Sequence, residues 1–290
     1  MMGVVSALLA GLAFSLAVVL ARKELDESNF FFVAFVITVT GNIILWSLAL
    51  LFTNFVTINL EGVLFFAMAG ILAPGITRLS YFKSVEIMGV SITASIFAVY
   101  PMFSSIFAIL SLREAPTPEN WIGLICIMIG VVRIETSLGK PKTGSRRAEK
   151  KGLVFPLLAA LAVSISYILR KYGLNVYNEP LLGAAIGYSS SFLLYLLLSI
   201  FSDTQLKSLY SSKNFRLFWK AGVMQTLGWV LSFYALRHEK VSIVTPLMQT
   251  QPLFVLLLAY LYLKELEHLS FKLVVGTFLI VIGAMLVSIG

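Results

Sequence analysis

The sequence predicts an all-α polytopic membrane protein, with ten transmembrane helices arranged as two inverted five-helix repeats. Three observations carry this expectation. Hydrophobic residues make up 59% of the 290-residue chain and charged residues only 12%, about half the charge of a soluble domain. Ten stretches are apolar and long enough to cross a bilayer, whose hydrocarbon core of roughly 30 Å needs about 20 helical residues. The second half of the chain also repeats the first. This composition excludes a soluble globular domain, a disordered chain and a disulfide scaffold. Cys126 is the only cysteine, so neither an intramolecular disulfide nor a cysteine-based zinc site is expected. No metal or cofactor is expected either.

Taken in order, Gly3–Ala21, Phe30–Phe52, Ile87–Leu112, Gly152–Leu169, Pro180–Ser202, Val241–Leu263 and Leu273–Gly290 contain no charge. Gly62–Phe82 is interrupted by Arg78, Asn120–Leu138 carries Arg133 and Glu135 near its end, and Arg216–Leu236 carries Arg216 and Lys220 at its start. Long cationic side chains near a helix end reach the headgroups, so these three also read as spans. The basic pair Arg22–Lys23 follows the first stretch rather than preceding it, the reverse of a secretory leader, so that stretch reads as a span.

With ten spans, 17 of the 22 cationic residues fall on one side, and Arg113, Arg170, Lys171, Arg237 and Lys240 on the other. The positive-inside rule puts the richer side in the cytoplasm and both chain ends outside. The formal charge of +8 is thereby read as loop charge rather than as a nucleic-acid surface. Residues 139–151 (GKPKTGSRRAEKK) form a basic cytoplasmic linker suited to anionic lipid.

Gly3–Leu20 aligns without gaps on Gly152–Leu169, with 9 of 18 pairs identical. Val90–Glu114 aligns on Val241–Glu265 with 9 identities in 25, Pro101 falling on Pro252 and Glu114 on Glu265. Residues 1–138 therefore read as one five-span repeat and 152–290 as a second. Five is odd, so the second copy starts on the opposite side of the membrane. Two such copies are related by a pseudo-twofold axis in the membrane plane, the geometry that alternating access uses. Gly123 and Gly130 in the fifth span, and Gly276 and Gly283 in the tenth, are each seven apart. That spacing makes a flat stripe suited to close helix packing, as does Gly183 with Gly187.

These residues carry a resemblance. Each half is similar to the EamA domain of the drug/metabolite transporter superfamily: a Leu/Ala-rich span ending in a basic pair, an aromatic-rich third span (Tyr81-Phe82; Phe233-Tyr234), and a fourth span with a mid-helix proline. A basic-Glu turn (Arg113-Glu114; Lys264-Glu265) and a closing span with spaced glycines complete each copy. The resemblance implies export or exchange of small organic metabolites through a cavity lined by the first, third and fourth spans of each repeat. The proton-binding glutamate that four-span multidrug exporters of that superfamily place in their first span has no counterpart here, where Phe14 and Ser15 stand.

Polar side chains within the spans are the candidate substrate-binding residues, because each is costly in lipid unless it meets a cavity or a partner. They are Ser15, Arg78, Ser95, Tyr100, Ser164, Tyr167, Gln225, Trp229 and Gln249, with Pro101 and Pro252 as hinges. Arg78 reads either as an anchor for a substrate carboxylate or phosphate or as a residue snorkelling from the helix end beside Glu86. Pro252 frees the carbonyl of residue 248 next to Gln249. No nucleotide-binding GxxxxGK[ST], HExxH or GxSxG pattern is present, so an enzyme is not expected. A scaffold or sensor subunit, or less readily a membrane-embedded enzyme, remains the alternative to a carrier.

Overall fold

The computed structural model describes residues 1–22, 30–53, 58–88, 90–138, 152–200, 212–263 and 271–289, which are helical apart from a few turn and cap residues, with no strand among them. In chain order they are α1 (Met2–Arg22), α2 (Phe30–Phe52), α3 (Leu60–Gly70), a wide turn (Ile71–Ile76), α4 (Thr77–Met88), α5 (Val90–Phe97), α6 (Tyr100–Leu112) and α7 (Pro118–Leu138). Then follow α8 (Val154–Val176), α9 (Pro180–Ile200), α10 (Ser212–His238), α11 (Val241–Met248), α12 (Gln251–Leu263) and α13 (Phe271–Ile289). Helices α3 and α4, α5 and α6, and α11 and α12 are interrupted rods, so the described residues make ten rods. The linker 139–151 and Glu265 lie outside the described residues.

An apolar chain in lipid has no water to hydrogen-bond its backbone, which is why it resolves into helices. Among the described residues, six stretches are long and apolar enough to cross a membrane: Met2–Leu20, Val33–Phe52, Leu60–Met88, Ile92–Leu112, Val154–Val176 and Pro180–Ile200. Leu9, Ile43, Leu64, Leu110, Ile125 and Leu197 stand exposed on the outer faces. A continuous apolar surface of this kind is at home in hydrocarbon rather than in water. The protein is a multi-pass membrane protein.

Helix ends are set by local chemistry. Asn59 caps α3, its side chain accepting from the Gly62 amide at 3.1 Å. Before α7, Thr117 and Asn120 bond reciprocally, Thr117 N to Asn120 Oδ1 at 3.0 Å and Asn120 N to Thr117 Oγ1 at 3.3 Å. Pro118 opens that helix, where its missing N–H is not needed. Three rods outrun the sequence expectation, among them α10, which runs Ser212–His238 where Arg216–Leu236 was expected and takes in Arg237. The third span was expected to end at Phe82, but α4 continues to Met88. Arg78 is therefore about 15 Å from the helix end, not close to it. The sixth span was expected to end at Leu169, with Arg170 and Lys171 in a loop; α8 carries both and stops at Val176. Asn178-Glu179-Pro180, not the basic pair, is the breaker.

Interruptions in a spanning rod leave carbonyls to satisfy, and hydroxyls from neighbouring rods do so. Ala73 leaves the helical region (φ −143°, ψ 125°) just before Pro74. Ser191 Oγ donates to Gly70 O at 2.7 Å, Ser166 Oγ to Ala69 O at 2.8 Å, and Tyr195 Oη to Pro74 O at 3.0 Å and Gly75 O at 3.1 Å. The fourth and ninth rods break at the same register. Val90, Phe97, Tyr100 and Leu112 bound α5 and α6, and Val241, Met248, Gln251 and Leu263, each 151 residues on, bound α11 and α12.

The fifth and tenth rods, α7 and α13, pack backbone to backbone. A Cβ added at Gly123 would lie 2.6 Å from Gly283 O, and one at Gly130 2.7 Å from Gly276 O. Glycine is needed here for closeness, and the sequence-level reading of these stripes as packing surfaces agrees with that geometry. Asn120 Nδ2 adds a bond to Val287 O at 3.2 Å. Gly130→Leu is expected to destabilise the folded protein by at least the ~1–3 kcal/mol typical of overpacking. The measurement is its melting temperature in detergent beside Ile129→Leu on the exposed face, which leaves stability unchanged.

Candidate functional site

The centre of the bundle holds a charge that the sequence reading assigned to a loop. Arg170 on α8 is only 1% exposed. Its guanidinium carbon lies 3.7 Å from the ring centre of Trp229, 4.7 Å from that of Tyr167 and 5.4 Å from that of Phe233. Nε donates to Ser166 Oγ at 3.2 Å and Nη1 to Ser232 Oγ at 3.5 Å, while Nη2 has no partner. Among the described residues the ion pairs are Met1 N with Glu239 and Lys83 with Glu86, neither of them at this arginine. A buried ion costs several kcal/mol even after relaxation. A desolvated cation–π contact returns about 2 kcal/mol. Rings and hydroxyls thus offset part of the cost and leave the charge unneutralised.

Around Arg170 the aromatic side chains form a continuous wall. Tyr100 stacks on Tyr167 with ring centres 6.0 Å apart, and Phe97 and Tyr81 extend the row at 5.1 and 5.2 Å. On the other side Tyr188 meets Trp229 edge-on at 5.4 Å. The guanidinium of Arg78 lies 5.9 Å from the Tyr188 ring centre. Neither the Tyr188 hydroxyl nor the Trp229 indole N–H has a hydrogen-bond partner. Arg78 is half-buried and its Nη1 donates to Thr38 Oγ1 at 2.9 Å and Ala34 O at 3.3 Å. Glu86, the partner considered for a snorkelling Arg78, pairs with Lys83 instead at 3.0 Å.

The expected site residues divide into three groups. Tyr100, Tyr167 and Trp229 gather at Arg170, and Arg78 joins them through Tyr188. Ser15 and Ser164 are fully buried and equivalently engaged: Ser15 Oγ donates to Gln251 O at 2.9 Å, and Ser164 Oγ to Tyr100 O at 2.9 Å. Each thus ties the first rod of one half to the broken rod of the other, at the peptide preceding Pro252 or Pro101. Gln249 is buried in the interruption itself, while Gln225 and Ser95 are half-buried. Sequence reasoning missed Arg170, Tyr188, Ser166 and Ser232. The available signal was that no proline follows Leu169 until Pro180, although Gly173 and Asn175 intervene.

One end of the bundle is fastened. Arg113 terminates α6 in the left-handed region (φ 55°), and the next residue, Glu114, caps α11 of the other half. Its Oε1 accepts from Val241 N at 2.8 Å, and its Oε2 from Ser242 N at 3.0 Å and Ser242 Oγ at 2.7 Å. A carboxylate on unsatisfied helix N–H groups is favourable through both hydrogen bonding and the helix dipole. Lys171 Nζ donates to Leu236 O at 2.6 Å and Glu239 O at 2.9 Å near the end of α10, and Tyr172 Oη to Ser111 O at 2.6 Å.

A ten-rod apolar bundle with interrupted helices around an enclosed polar and aromatic centre has the architecture of a membrane transporter. Comparison with known proteins gives the family. The model of the EamA-like transporter family matches residues 1–136 and again 150–289, and the chain belongs to that family. A protein described as an uncharacterized transporter from Archaeoglobus fulgidus is 24% identical over 288 residues, covering 99% of this chain and 98% of its own. A solved crystal structure superposes with a TM-score of 0.79 at 13% identity, spanning 99% of this chain and 96% of that one. It shares the fold.

Tyr195→Phe removes the hydroxyl that serves both Pro74 and Gly75 carbonyls. It is expected to cost about 0.5–2 kcal/mol, the range for buried polar contacts within membranes. Denaturant titration in detergent measures this loss, with no change expected for Ser47→Ala on the exposed face.

Proposed function

We propose that this protein is a secondary transporter that exports or exchanges a small organic metabolite by alternating access between two inverted five-helix repeats. The repeats are residues 1–138 and 152–290, joined by the basic linker 139–151, which lies on anionic lipid at the cytoplasmic face. The membrane is the plasma or inner membrane, with both ends of the chain outside the cytoplasm. The observation that carries this reading is the reciprocal bonding of Ser15 to Gln251 O and Ser164 to Tyr100 O. Equivalent atoms of the two halves make the same contact across the seam, at helices broken in the same register. Two copies locked together by interchangeable contacts support two conformations of equal kind, one open to each side. Transport then consists of one half taking the shape of the other.

In this reading Pro101 and Pro252 mark the hinges, where each lacks an amide hydrogen and the rod is already divided. The chamber is lined by Tyr100, Tyr167, Trp229 and Gln249, with Ser95 and Gln225 along its walls. Arg78 stands on the route to it, half-buried and one ring away from Trp229 through Tyr188. The bonds of Glu114, Lys171 and Tyr172 close one end. Opening that end requires all three to part, so they act as a latch.

Counterflow in proteoliposomes, scanned over amino acids, sugars, nucleosides and phosphorylated metabolites, tests the carrier directly. At least one class is expected to exchange, and Arg78→Ala is expected to slow that exchange at least tenfold while the protein elutes and melts as the wild type does. An unchanged rate removes Arg78 from the route. Access is tested separately with Cys126→Ser as background. Ser95→Cys and Gln249→Cys are expected to react with polar thiol reagents more slowly when the exchanged solute is present, and absence of labelling at both positions places these helices against packed neighbours.

A further inference from the structure

Of everything buried in the bundle, Arg170 is the group least accounted for. Resting on the transporter reading above, we infer that Arg170 binds the substrate's negative charge, and that the substrate is an organic oxyanion, a carboxylate or phosphate ester, carried on an apolar or aromatic body. The sequence makes this residue an exception to the duplication. In the alignment of the first and sixth spans the position matching Arg170 is Ala21, so one half supplies a cation and the other a methyl group. A purely architectural role in a twofold design has no need of that asymmetry.

The local chemistry gives the ligand's sign. Three buried polar groups on adjoining side chains lack partners: Arg170 Nη2, the Trp229 indole N–H and the Tyr188 hydroxyl. All three donate hydrogen bonds, and an oxyanion accepts them. The aromatic faces that in another protein would receive a cationic ligand are here occupied by the protein's own guanidinium, at 3.7 Å from Trp229 and 4.7 Å from Tyr167. The cation is resident, and the visiting group brings the anion. Ser166 and Ser232 hold Nε and Nη1, which fixes the plane of the guanidinium and leaves Nη2 for the ligand. The surrounding rings, Tyr100, Tyr167, Phe233 and Tyr188, match an apolar body better than a sugar. Ser166 also bonds Ala69 O in the interrupted third rod, so a change at Arg170 is felt where that rod is already broken.

The test has two arms, both on the full-length protein. In detergent, melting temperature is followed with phenylacetate, phenyl phosphate, phenylacetamide, phenethylamine and chloride at matched ionic strength. Phenylacetate, phenyl phosphate or both are expected to raise the melting temperature of the wild type, and the amide, the amine and chloride are not. Arg170→Gln is expected to abolish the shift. Arg170→Lys, which keeps the charge without the fork, is expected to raise the half-saturating concentration at least tenfold. Trp229→Phe, which keeps a ring but removes the indole N–H, is expected to raise it at least threefold. Without ligand Arg170→Gln is expected to melt no lower than the wild type, because an unneutralised buried charge has been removed. A marked drop, or failure to fold, makes Arg170 a structural strut and overturns the inference. So does a shift from chloride equal to that from the organic anions, an anion response retained in Arg170→Gln, or no response to either organic anion.

In proteoliposomes the same probes and neutral metabolites are tested for counterflow. Exchange of neutral or cationic solutes alone, undiminished in Arg170→Gln, overturns the oxyanion assignment and leaves the carrier reading standing. Anion-specific stabilisation without exchange of any solute has the opposite result: the site stands and the carrier reading falls.

Discussion

The constraint on which the rest of the structure depends is that a polar group inside the bilayer has to find its partner within the bundle. Where rods run unbroken, the helix ladder meets that demand without help. Where they break, at Ala73-Pro74 and before Pro101 and Pro252, side chains from other rods take over: Ser191, Ser166 and Tyr195 at the first, Ser164 and Ser15 at the other two. Ser15, Ser164, Ser166, Ser191 and Tyr195 are therefore accounted for by the interruptions, not by an abundance of polar surface. Arg170 stands out against this background because its demand is met only in part.

Symmetry and its violation divide the labour. Features that the two halves share, including the broken fourth and ninth rods, the serine contacts at their breaks and the glycine faces of α7 and α13, belong to the framework. Features found in one half only, Arg170 and Arg78 among them, lie in or beside the aromatic centre. Glu114 occupies a position between these cases: its match Glu265 is present in sequence, and its own carboxylate spans the two halves to cap α11. The latched end is thus built from a residue that both copies possess.

The fold class and family were legible in the sequence because duplication, apolar length and proline register are properties of the chain itself. Gly123, Gly130, Gly276 and Gly283 were read as a packing stripe for the same reason: helical spacing converts directly into a face. What sequence reading misplaced was where two of the helices end. Arg78 was placed near the membrane edge because Phe82 looked like the end of an apolar run, and Arg170 was placed in a loop because basic pairs commonly flank spans. Both helices continue, α4 to Met88 and α8 to Val176, since intrahelical bonding and burial against neighbouring rods override a local drop in hydropathy. Ser15 and Ser164 were singled out as symmetry mates, but their carbonyl partners lie 236 and 64 residues away in the chain, a relation no local pattern encodes.

The glycine seam between α7 and α13 has a kinematic consequence. With carbonyl oxygens of one rod seated where side chains of the other would stand, sliding by even a fraction of a turn drives Ile127, Ile280 or Val287 into main-chain atoms. The pair is a keel shared by both halves, one rod from each, held at backbone contact by four glycines. Any side chain added along this seam meets the main chain of the opposite rod, so the closeness of α7 and α13 tolerates no enlargement on either face.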